Sequence, residues 1–136
     1  MIIIIFYGGS TSDVFKRKKV PTEWVLDGIE VFRAGFDDNS KRLTSNIDGG
    51  YVYLSNGKGN TNYRNVDKAA TEAIAGNEGK LVYGYSLGTE IDGVVSTDSS
   101  DIDAEASIKN GAKIVYKDTN NSTTDFHQRA KASLRN

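Results

Sequence analysis

Residues 2–6 read Ile-Ile-Ile-Ile-Phe, a continuous apolar run, mostly β-branched, that stops at Gly8-Gly9. A run with no polar face fits a strand covered on both sides. A chain that contains it must build a sheet and supply cover for each face. At 136 residues it has the length of one domain with one core.

The rest of the pattern is strand-rich. Ser10, Thr11 and Ser12 can cap a short helix over 12–19, limited by Pro21. Residues 22–36 carry β-formers punctuated by Gly28 and Gly35, which predicts a strand pair or a turn with one strand. A loop follows to the Asp48-Gly49-Gly50 turn, then a short strand over 51–55 and a polar loop. Residues 66–76 form the best helical pattern, with Val66, Ala69, Ala70, Ala73 and Ile74 at helical spacing and Gly76 as a stop. Residues 80–87 predict a strand, and 88–96 a turn and another strand. Residues 104–116 predict two strand pieces around Asn110-Gly111, a hairpin turn pair. The organisation expected is a single globular domain over 1–118, followed by a polar and basic tail over 119–136, mobile or a short helix. The fold class is α+β, a strand-rich mixed domain with one or two short helices.

The formal net charge is −1, so no global field selects nucleic acid or a membrane surface. Charges are nonetheless grouped, with a basic run at Lys16-Arg17-Lys18-Lys19 and acids at Asp98, Asp101, Asp103 and Glu105. With no cysteine, disulfides, thiolate nucleophiles and cysteine zinc sites are excluded, and a cytoplasmic location fits. The lone histidine, His127, argues against a histidine-cluster metal site and is expected to be solvated in the tail. No window reaches membrane-spanning length.

Asp103 and Glu105 stand two apart, which places both carboxylates on one face of an extended chain. A solvated strand edge is the plain account of such a pair. Three pieces in order suggest more: "IFYGGS", then "GGYVYLS" with a helix and strand behind it, then Asp103-Ala104-Glu105 leading into "ASIKNGAKI". This order resembles the ADP-ribosyltransferase superfamily, with its split sheet. The resemblance implies NAD as substrate and a protein or nucleic-acid acceptor. It implies Glu105 as the ribose-binding catalytic acid and Asp103 as its helper. Tyr53 would stack on the nicotinamide ring beside Ser55, with Tyr7 and Gly8 contacting its amide. Where the family shows His or Arg before the first glycine, this chain has Tyr7, and Arg33 can supply the missing charge. A carboxylate so placed would steady the positive charge that develops as nicotinamide leaves.

Two alternatives stand beside it. One is a non-enzymatic binding or inhibitor protein, of which a phage-encoded protein and an inactive transferase scaffold are the two forms to weigh. The other is suggested by "FYGGS", which also resembles the start of gamma-glutamyl cyclotransferase-like proteins, with Glu90 as the available base. Each residue also has a plain reading. Tyr7 suits a strand rim, Tyr51 and Tyr53 a cross-strand aromatic pair, Ser55 a strand end, and Arg33 a surface ion pair.

Overall fold

The computed structural model describes residues 3–7, 21–33, 41–54, 59–91 and 94–129. The apolar N-terminal run forms β1 (Ile3–Tyr7), which pairs in parallel with β2 (Asp27–Arg33). On its other side β2 pairs in parallel with β3 (Val52–Leu54), with Phe32 opposite Tyr53. A second sheet joins β4 (Thr61–Arg64) to β7 (Phe126–Arg129) in antiparallel register. A hairpin joins β5 (Thr89–Ile91) to β6 (Val94–Ser96). Among the described residues there are three short α-helices, α1 (Lys68–Glu72), α2 (Ala104–Lys109) and α3 (Ser122–Asp125), and two single 3-10 turns at Thr22–Trp24 and Ala75–Asn77. The fold is α+β, with small sheets and short helices. Among the described residues no helix is long and apolar enough to cross a membrane.

Ile29, Val31, Phe32, Val66, Ile102 and Ala112 are the buried apolar residues among those described. Buried polar residues outnumber them, because much of this chain is loop and loop backbone needs hydrogen-bond partners. Asp48 is fully buried and accepts four bonds, from the N–H groups of Glu30, Gly50 and Ser122 and from the Ser122 hydroxyl. It thereby joins β2, the turn before β3 and the start of α3. Glu30 accepts from the N–H groups of Arg42 (2.6 Å) and Leu43 (3.3 Å), tying residues 41–50 to β2. Gly50 has to be glycine. A Cβ there would stand 2.1 Å from Asn121 Oδ1 and 2.6 Å from the Thr123 backbone nitrogen.

Residues 104–116 depart from the hairpin expected of them. Asp103 caps α2, its side chain accepting from the Ala106 N–H at 2.9 Å. Alanines then propagate a helix that Glu105 and Lys109 complement at its two ends. Asn110 closes the helix and Gly111 takes φ +81°, so the expected hairpin turn pair is a helix terminus. The strand expected over 80–87 does not form: the segment joins no sheet, makes an isolated bridge between Tyr83 and Ile102, and takes φ +82° at Gly84. The helix expected over 66–76 is shorter: the Asp67 side chain caps its start by accepting from the Ala70 N–H, and the chain leaves helical geometry at Ile74 (φ −76°, ψ 109°). Beyond 118, α3 and β7 pack into the body. The helix expected over 12–19 lies outside the described residues.

Candidate functional site

Strand β7 brings His127 and Arg129 to one face, two residues apart, and both are buried. Facing them are Tyr63 from β4, Tyr85 from the irregular segment 80–87, and Glu105 from α2. Together with Asp98 and Ile102 they line a small, partly open cavity of about 60 Å³. At roughly 10–15 Å³ per water this holds a few solvent molecules. It falls well below the roughly 300 Å³ at which small-molecule pockets begin.

The hydrogen bonds inside it are internally matched. Asn65 Nδ2 donates to the Thr124 carbonyl at 2.9 Å, which turns Asn65 Oδ1 toward His127 Nδ1 at 2.7 Å. The imidazole therefore carries its proton on Nδ1, and Nε2 accepts from the Tyr85 hydroxyl at 2.5 Å. Burial pushes the Tyr85 hydroxyl up to about 12 against the pull of Arg129, so at neutral pH it is a donor. Burial also lowers the His127 pKa; the Asp98 charge works against this and Arg129 adds to it.

This pair of shifts gives a pH expectation. Below its ordinary 6.5, histidine in the unfolded chain takes up a proton that folded His127 resists. The stability contribution is thus complete above pH 6.5 and is lost as pH falls below it. Urea midpoints between pH 8 and pH 5 should fall in the wild type. The part of that fall centred just below 6.5 should vanish in His127→Gln, since the chain has one histidine.

The carboxylates singled out from the sequence have partners of their own. Glu105 Oε1 receives Arg129 Nη1 at 2.6 Å, with the Arg129 side chain 8% exposed. The Arg129 guanidinium also lies 4.3 Å from the Tyr63 ring centroid. Burial alone would lower the Arg129 pKa, but the Glu105 hydrogen bond and its charge outweigh this and raise it. Asp103 is the α2 cap.

Tyr53 lies on β3 and does not line this cavity. Its ring meets Tyr51 edge-on at 5.2 Å, above buried Phe32 at 6.4 Å, and each tyrosine is 39% exposed. The outer edge of β3 is closed. Thr123 Oγ1 accepts from the Tyr51 N–H and donates to its carbonyl, and the Gln128 side chain donates to the Tyr53 carbonyl. Arg33 ends β2 and is exposed, and Tyr7 ends β1. Gly8 and Ser55 lie outside the described residues. Among the described residues of the expected site, Glu105 is the one that lines this cavity.

The cluster's other members were not marked by the sequence reading. His127 is buried rather than solvated. The signal that could have found it is the alternation Phe126-His127-Gln128-Arg129, which puts His127 and Arg129 on one strand face. Among the described residues no group of three or more His, Cys, Asp or Glu side chains is placed to hold a metal ion.

A family model described as "Protein of unknown function (DUF4876)" matches residues 4–84. No curated protein and no solved structure matches the chain.

Proposed function

The chain belongs to the DUF4876 family, whose description assigns no activity, and from its geometry we propose that it is a non-enzymatic binding module. One observation carries the reading. The groups best suited to acid, base or electrostatic catalysis are engaged within the fold. Asp103 caps a helix, Glu105 pairs with Arg129, and His127 is bonded at both ring nitrogens. Each is oriented by a partner within the fold, and the space beside Glu105 and His127 is the size of a few waters. What the surface offers instead is fixed side chains. The Tyr51–Tyr53 pair stands on a sheet whose edge is closed by Thr123 and Gln128.

The role of Glu105 is open to a double-mutant cycle. Glu105→Gln and Arg129→Met, alone and combined, should be coupled by about 1–3 kcal/mol in urea unfolding, as for a partly buried pair whose members depend on each other. Additive effects would release Glu105 from its structural role and return it to the list of residues that can meet a ligand.

A further inference from the structure

We infer that the cleft between the β6–α2 loop, Lys117 and α3 is a binding site for a small ligand carrying an oxyanion, of the phosphate, sulfate or carboxylate kind. This rests on the binding reading above and names the ligand class. The cleft has a volume of about 340 Å³ and is lined by Asn65, Thr97, Ser99, Lys117, Thr123, Thr124 and Phe126. That volume is within the range of small-molecule sites.

Its polar groups divide in two. Those of Asn65, Thr123 and Thr124 are held by the fold: Asn65 bonds His127 and the Thr124 carbonyl, Thr123 bonds Tyr51, and Thr124 bonds the Asn121 carbonyl. The hydroxyls of Thr97 and Ser99 and the ammonium of Lys117 enter no hydrogen bond or ion pair among the described residues. Lys117 is half-buried, not a fully solvated surface lysine. The result is one unpaired cation and two unspent hydroxyl donors on a single concave surface. An ammonium acts as a point charge toward an oxyanion, and hydroxyls add direction.

The neighbouring acids do not cancel this. Asp98 lies between Thr97 and Ser99 in the chain, but it is buried and accepts from the N–H groups of Val66 and Ser100. Asp125 is buried and accepts from Thr119, Asn121 and Thr124. Burial alone would raise its pKa, and these bonds outweigh it and hold it below the ordinary range. Asp118 turns to Arg64 at 3.6 Å. The Arg64 guanidinium in turn lies 4.8 Å from the Phe126 ring centroid, on a wall of the same cleft.

The test is an amide chemical-shift titration of the full chain with inorganic phosphate at constant ionic strength, balanced with chloride. Saturating shifts are expected at Thr97, Ser99, Lys117, Thr123 and Thr124. Affinity should fall about tenfold or more in Lys117→Met, where the charge-assisted bond is lost, and more modestly in Ser99→Ala. Ser99→Ala is the variant to rely on if Lys117→Met fails to fold. A parallel titration with a hexose phosphate distinguishes sources. Tighter binding than inorganic phosphate assigns an esterified anion, and equal binding a free one; both uphold the site. Shifts that do not saturate, that spread over the surface, or that are unchanged in both variants overturn it. Such a failure removes the cleft alone, whereas release of nicotinamide from NAD by the chain would remove the binding reading and leave the phosphate result intact.

Discussion

Asp48→Ala is expected to cost about 4–5 kcal/mol of stability at 25 °C, among the largest effects a single substitution produces. The carboxylate is fully buried, and four donors depend on it: the N–H groups of Glu30, Gly50 and Ser122, and the Ser122 hydroxyl. Each buried donor left without an acceptor costs about 1–3 kcal/mol, and relaxation recovers part of the sum. This is a large share of the roughly 5–15 kcal/mol a domain has in total, and at the low end of that range it leaves a substantial unfolded fraction. Asp48→Asn should cost about half as much. Its one carbonyl oxygen can still accept two bonds, while its NH₂ faces two donors. Urea unfolding followed by tyrosine and tryptophan fluorescence measures both. A loss under about 1 kcal/mol for the alanine variant would mean that water takes the carboxylate's place.

Asn77→Ala is expected to cost about 3 kcal/mol, for a related reason. Asn77 is buried. Its amide nitrogen donates to the carbonyls of Thr71 (2.8 Å) and Lys113 (2.7 Å), and its oxygen accepts from the Lys113 N–H (2.8 Å). Thr71, itself fully buried, continues the same device by bonding both backbone groups of Val115. Residues 112–116 thus run beside α1 held by side chains in place of a neighbouring strand. Hydrogen exchange should show the lesion as lost protection at Lys113 and Val115 ahead of β2. Equal loss at both places would mean that the segment and the parallel sheet unfold as one unit.

These two residues show why the sequence was only partly legible. β1, β2 and β3 were readable because apolar, β-branched runs bounded by glycine have few other ways to be buried. Within 88–96 a turn and one strand are expected, whereas the structure pairs two strands there, β5 and β6. Segments held by side chain to backbone bonds carry no periodicity, so the roles of Asn77, Asp48 and Asp125 left no pattern to detect. The stretch from Asp103 to Gly111 was ambiguous in a specific way. An acid two residues before another acid suits a strand face, but an acid ahead of Ala-Glu-Ala also suits a helix cap. Asn-Gly serves a hairpin turn and a helix terminus alike, because both need the backbone freedom that glycine gives at φ +81°. The helix reading prevails through the Asp103 cap and the packing of fully buried Ser107, whose hydroxyl accepts from the Val82 N–H. In the last described segment, polar composition hid a buried strand. Its inward residues are His127 and Arg129, whose polar atoms are matched by Asn65, Tyr85 and Glu105.

The same principle bears on function. A chain that uses its buried acids, amides and hydroxyls to organise loops leaves few of them for chemistry. Glu105 is the residue on which this turns, since it belongs both to the expected transferase motif and to the observed ion pair with Arg129. Incubation of the purified chain with millimolar NAD, wild type beside Glu105→Gln, measures it directly. No nicotinamide above the buffer rate is expected from either protein. Nicotinamide released by the wild type and abolished in Glu105→Gln would contradict the binding reading and make the chain an NAD-cleaving enzyme.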